Sequence, residues 1–197
     1  MVKLSGSASR RSEIQEKNLN KIIKNYWLLV LVAGVVITLD QVTKWIVRAN
    51  LSFGASWTPI ETIPFFRFVH WENTGAAFGM FQGGGLVFGI LAAIVSVIIV
   101  IYFPQIPEEQ VLMRIAIAMQ MGGAIGNLID RIKFGPVTDF IAVGAFPVFN
   151  IADASITVGV AVLLLSLWSL ERKEREESME TKKQQSETPE PFIDKQS

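Results

Sequence analysis

The sequence contains no cysteine and a single histidine, His70, among 197 residues. The first absence excludes disulfides, thiol nucleophiles and thiolate metal sites, and the second excludes any centre that needs two imidazoles. Charge is also scarce where a soluble domain would carry it. Residues 1–25 hold 8 charged side chains and residues 171–197 hold 14, which leaves only 14 for the 145 residues between them. Soluble domains carry about 25% charged residues throughout, so this apolar middle indicates a membrane protein with two polar ends. The formal net charge of zero conceals a basic arm, in which Lys3, Arg10, Arg11, Lys17, Lys21 and Lys24 face only Glu13 and Glu16. No basic stripe lies within the apolar region, which excludes a nucleic-acid binder.

Four apolar runs are present: Tyr26 to Val47, Gly83 to Phe103 without any charge, Val111 to Ile129, and Ala154 to Leu170. Crossing a hydrocarbon core of about 30 Å takes roughly 20 helical residues, and each run approaches or exceeds that length. Spans are expected at about 26–47, 83–103, 111–130 and 153–170. Tyr26–Leu39 has the length of a signal-peptide core, but no small-residue cleavage site follows, and the apolar pattern resumes at Trp45, Ile46 and Val47. It is read as a retained helix. The basic arm, together with Arg172, Lys173 and Arg175 after the fourth run, places both ends in the cytoplasm. The chain therefore divides into an arm (1–25), a four-helix membrane domain (26–170) and a polar tail (171–197) that becomes disordered after a few helical turns. The outer segment 60–72 is rich in Phe, Trp, Ile and Val, which favours extended structure at a membrane interface.

Ionisable groups at membrane depth cost several kcal/mol and are functional candidates by default. Asp40 lies about 21 Å along a helix begun at Tyr26, taking 1.5 Å per residue. Lys44 follows one turn later on the same face, where it can pair with Asp40 or reach outward. GGAIGNLIDR (122–131) closes the third run. There Gly122 and Gly126 give a small-residue packing face, Asn127 and Arg131 share a face, and Asp130 lies beside it. Asn150 suits a helix cap at the fourth run, with Asp153 in the first turn, where the helix dipole favours its charge. Asp139 sits in the apolar setting VTDFI.

Asp139 and Asp153 suggest a carboxylate pair that shares one proton, so that one member acts on water while the other protonates a carbonyl. Spacing alone leaves open whether they meet, and Asp153 alone reads more readily as a dipole partner. Three other readings stand beside this one. The first is a proton- or ion-coupled transporter with Asp40, Lys44, Asp130 and Asp153 as its relay. The second is a structural subunit packing through Gly122 and Gly126. The third is a Ser–Lys peptidase using Ser155 or Ser96 with Lys44. His70 is read as an interfacial or hydrogen-bonded residue.

Taken in order, DQVTK (40–44), NTGAAF (73–78), GNLIDR (126–131), VTDF (137–140) and FNIAD (149–153) resemble lipoprotein signal peptidase, or signal peptidase II, over roughly residues 26–170. The resemblance implies an all-α membrane protein of four transmembrane helices with a small extracytoplasmic β-cradle and a short helix on the same side. It implies Asp139 and Asp153 as the catalytic residues. Asp40, Lys44, Asn73, Gly126, Asn127, Asp130, Arg131, Asn150 and Ala154 would support the site and the substrate. It further implies an aspartic endopeptidase of the bacterial inner membrane that cuts prolipoproteins before a diacylglyceryl-modified cysteine, with no cofactor and no metal. The expected partners are that substrate and membrane lipid, with no nucleic acid, and the chain is taken as a monomer.

Overall fold

The computed structural model describes residues 5–75 and 83–187. Helix α1 (Ser5–Asn50) leads to strands β1 (Ser56–Trp57) and β2 (Phe66–Asn73). Helix α2 (Gly85–Tyr102) and a 3-10 turn (Phe103–Gln105) then precede α3 (Val111–Lys133). Strand β3 (Val137–Val143) and helix α4 (Ile151–Glu187) complete the described elements. Among the described residues, four stretches are long and apolar enough to cross a membrane: Lys24–Asn50, Gly85–Gln105, Val111–Lys133 and Ile151–Glu180. Their outward faces keep Leu86, Ile90, Leu164 and Trp168 exposed, as helices in contact with lipid require.

Helix α3 is the centre of the bundle and packs on α1, α2 and α4. Its glycines let backbones approach closely. A Cβ at Gly122 would stand 2.7 Å from Val36 Cβ on α1, and one at Gly123 would collide with the Ala152 carbonyl oxygen on α4. At the end of the bundle away from the sheet, buried Arg114 donates to the carbonyls of Ile106 (2.9 Å) and Asn25 (2.5 Å). Its guanidinium lies 4.5 Å from the centre of the Phe103 ring.

The strands form one antiparallel sheet in the order β1-β2-β3. Extended structure begins only at Phe66, although the whole of 60–72 was expected to be extended. Segment 60–65 makes two turns instead, Ile63 N–H to the Ile60 carbonyl and Phe66 N–H to the Ile63 carbonyl. Pro64, which cannot donate to a ladder, stands in this stretch, and Pro59 directly precedes it. Between Phe68↔Ile141 and Trp71↔Asp139 the register of β2 against β3 shifts, a bulge of the kind that re-aims side chains. After β3 the chain turns at Gly144 (φ 55°) and runs back along β3. Ile141 and Phe149 exchange backbone hydrogen bonds of 2.8 and 3.1 Å.

The charged segment after Leu170 continues α4 as expected, as far as Glu187, and the expected disorder beyond it falls on residues outside those described. Glu, Lys, Arg and Gln are good helix formers, and Arg172–Glu176 and Arg175–Glu171 add i,i+4 pairs of 2.9 and 2.6 Å. The arm is likewise helical from Ser5, continuous with the first span. The implied short extra helix does not occur among the described residues of the loops.

Candidate active site

Four elements converge at the sheet end of the bundle: the carboxy-terminal end of α1, the last two turns of α3, strand β3 and the first turn of α4. Asn150 joins two of them. Its side-chain oxygen accepts from Asp153 N–H (2.9 Å), and the Asp153 carboxylate accepts from Asn150 N–H (3.3 Å). This is a reciprocal cap at the start of α4. Because the return strand lies against β3, the amide of the same Asn150 also donates to Asp139 Oδ1 at 2.7 Å. One capping residue thus brings two aspartates from different elements to one place.

Both carboxylates line a cavity of about 550 Å³, together with Asn73, Asn127, Arg131, Phe146, Phe149 and Ala154. Asp139 is 1% exposed. Its second oxygen accepts from Asn73 Nδ2 at 3.0 Å, while Asp153 Oδ1 accepts from Asn127 Nδ2 at 2.8 Å. Burial, and next the nearby Asp153 carboxylate, push the Asp139 carboxyl up from 3.8 to about 7, against the opposing pull of the Asn73 and Asn150 amides. Such a group holds a proton near neutrality and can give it up, which suits acid–base chemistry.

Behind the cavity lies a buried ion cluster. Lys44, fully buried, does not reach outward. It pairs with Asp40 (2.8 Å) and Asp130 (3.2 Å) and donates to Asn127 Oδ1 (2.9 Å). Asp40 Oδ1 accepts from Ala152 N–H at 3.0 Å, so a carboxylate of α1 satisfies an open amide of α4 at the positive end of the helix dipole. Gly126 makes room for it, since a Cβ there would stand 2.7 Å from Asp40 Oδ2. Asp130 Oδ2 accepts from Thr138 N–H at 3.0 Å and so anchors β3 one residue before Asp139.

All eleven residues singled out from the sequence fall in this region. Asn73, Asn127, Arg131, Asp139, Asp153 and Ala154 face the cavity. Asn150 bridges to both aspartates, and Asp40, Lys44, Gly126 and Asp130 form the layer behind. Of NTGAAF, residues 76–78 lie outside the described residues. His70 hydrogen-bonds the Leu51 carbonyl oxygen through Nδ1 at 2.8 Å and takes no part in the cavity. Sequence reasoning missed Gln41, which donates to Asp40, Asp130 and the Gly126 carbonyl at 3.0–3.2 Å. It also missed Arg48 and Thr138, joined at 2.8 Å. Arg48 lies four residues after Lys44 and eight after Asp40, a helical spacing that places all three near one face.

The sequence profile of the family described as "Signal peptidase (SPase) II" matches residues 32–169. The chain belongs to the signal peptidase II family. Similar relatives include the lipoprotein signal peptidase of Symbiobacterium thermophilum, 42% identical over 151 residues, covering 74% of this chain and 97% of that one. The lipoprotein signal peptidase of Dehalococcoides mccartyi is 46% identical over 132 residues, covering 64% and 79%. A solved structure of a bacterial membrane enzyme, obtained by the in meso method at 2.3 Å resolution, superposes with a TM-score of 0.67 at 36% identity. That alignment covers 72% of this chain and 87% of the solved one. As a member of the signal peptidase II family the chain is a membrane peptidase of the aspartic type. None of these relatives supports the transporter reading.

Proposed function

We propose that Asp139 and Asp153 are the catalytic pair of an endopeptidase that cuts diacylglyceryl-modified prolipoproteins just before the lipidated cysteine. The observation that carries this reading is one cavity faced by both carboxylates, with every oxygen of Asp139 held by an amide donor. Two carboxyls so placed share a proton. The ionised member takes a proton from water as its oxygen attacks the scissile carbonyl carbon, and the protonated member gives its proton to the carbonyl oxygen. On collapse the C–N bond breaks and the departing nitrogen takes the proton gained from water. The new carboxyl returns the other proton, leaving the pair singly protonated as before. Asn73, Asn127 and Asn150 hold the carboxylates in this geometry, and Arg131 and Ala154 line the cavity where the substrate backbone would lie.

The site lies at the ends of membrane-spanning helices, and a lipidated substrate confined to the bilayer meets it without extraction. With the amino-terminal arm and the carboxy-terminal tail in the cytoplasm, as the basic residues favour, the site opens at the outer face of the bacterial inner membrane. The enzyme works as a monomer surrounded by membrane lipid. Residues 1–25 and 171–197 form cytoplasmic extensions of the 26–170 peptidase domain. A gel-shift assay on a diacylglyceryl-modified prolipoprotein in detergent tests the proposal. Asp139→Asn and Asp153→Asn, each folded, are expected to lose about 10³-fold or more in cleavage rate. Cleavage retained by both variants would remove them from the chemistry. A folded wild-type enzyme inert toward this substrate would overturn the substrate assignment.

A further inference from the structure

Arg48, in the last turn of α1, sits outside the cavity and outside every motif that carries the family resemblance. It nevertheless touches both ends of the link between α3 and β3. Its guanidinium donates to the Thr138 hydroxyl at 2.8 Å, lies 4.5 Å from the centre of the Phe134 ring, and stands 3.7 Å from Asp130 Oδ1. Phe134 is the residue at which α3 ends. Thr138 is buried (3% exposed) and directly precedes Asp139. Its N–H is held by Asp130 (3.0 Å), and its carbonyl accepts from Asn150 Nδ2 (3.4 Å).

We infer that Arg48 is a positioning residue for Asp139, acting through the Thr138 hydroxyl to clamp the start of β3 against α1. Two features support this. The first, charge balance, says why Arg48 is held at this place. Asp40 and Asp130 are both fully buried, and Lys44 alone answers both at close range. Arg48 is the second cation in contact with Asp130 and brings the cluster to two charges of each sign. The second is stiffness. Phe134–Pro136 is a turn between helix and strand that includes Gly135 at φ 89°. Such a turn leaves the strand's position to whatever grips it from outside. Asp130 grips the Thr138 backbone from α3, and Arg48 grips its side chain from α1. Together they fix the residue next to Asp139 from two helices. Without the α1 contact, β3 keeps its ladder to β2 but can slide or tilt relative to Asp153. Small misplacements of a reacting group lower turnover more than binding.

This inference rests on the assignment of Asp139 to the chemistry, and its test has an arm that does not. In detergent-solubilised full-length enzyme, Arg48→Met and Thr138→Val remove the hydrogen bond from either side, while Arg48→Lys and Thr138→Ser retain a donor or an acceptor. The expected result for Met and Val is a fall in kcat of about 10- to 100-fold. KM should stay within about twofold, the double variant should be no worse than the poorer single one, and Lys and Ser should recover much of the rate. Hydrogen–deuterium exchange of peptides covering residues 134–140 should quicken in Met and Val, whether or not the substrate assignment holds. Unchanged kcat, losses that multiply in the double variant, or a lowered unfolding midpoint with unchanged exchange over 134–140 would each overturn the inference. Faster exchange in the variants of an enzyme inert toward lipidated substrate would keep the clamp and overturn the proposed function alone.

Discussion

Asp139 links the site's chemistry to its stability. Its carboxyl is held near 7 in the folded protein against 3.8 for a free side chain, so the folded state binds the proton more tightly than the unfolded state. Stability is therefore highest below about pH 4 as far as this group is concerned, and falls as pH rises toward and through 7. Unfolding midpoints in detergent from pH 5 to 8 are expected to show that decline in wild type and a flatter profile in Asp139→Asn. Cleavage should fall on the alkaline side with an apparent pKa near 7, as the pair loses its shared proton; a rate that keeps rising to pH 9 would contradict it. Lys44 makes a different demand. Replacement by Met strands Asp40 and Asp130 as buried charges, and the loss in stability should be about 3–5 kcal/mol, read by denaturant titration. At this scale the sequence was informative wherever a polar group sat at membrane depth, because such groups are expensive and few. It was silent on Thr138, whose hydroxyl is unremarkable in any strand, and on Asp130 and Asn127 as further partners of Lys44, which depend on how α1 and α3 are rotated against each other.

The helices were legible as elements because an apolar run of membrane length has few other readings, and Gly122 and Gly126 marked α3 as a packing face. The role of Gly123 was not legible. It lies on the adjoining face and meets α4, and only the assembled bundle shows that α3 is approached from both sides. Gly123→Ala forces a methyl group against the Ala152 carbonyl oxygen at the start of α4. Overpacking of this kind costs about 1–3 kcal/mol or more, and here it also displaces the turn that carries Asp153. Gly34→Ala on α1 meets nothing within 4 Å and is expected to leave stability and cleavage unchanged, which makes it the matched control in a thermal-unfolding and cleavage comparison. The bulge in β2 and the return strand through Phe149 could not be anticipated, because each depends on pairing between segments some 70 and 8 residues apart. The helical continuation after Leu170 was legible, and its reach to Glu187 follows from the i,i+4 charge spacing.

At the scale of the whole molecule, four stretches among the described residues are long and apolar enough to cross a membrane, and the proposed orientation puts both ends on one side. The absence of cysteine makes this directly testable. Single cysteines at Ser12 and Ser178 should be labelled by an impermeant maleimide only from the cytoplasmic side, and one at Ser56 only from the other; any other pattern overturns the proposed orientation. The contact between Asp40 and the Ala152 amide has a consequence in time. During synthesis α1 and α3 enter the membrane first and can already join Lys44, Asp40 and Asp130, but Asp40 Oδ1 still lacks its donor. Only when α4 threads in does that oxygen find a partner, and the same event delivers Asp153 opposite Asp139. On the proposed assignment of Asp139 and Asp153 to the chemistry, a nascent chain is silent until its last helix arrives, and premature release leaves an inert remnant instead of a stray protease.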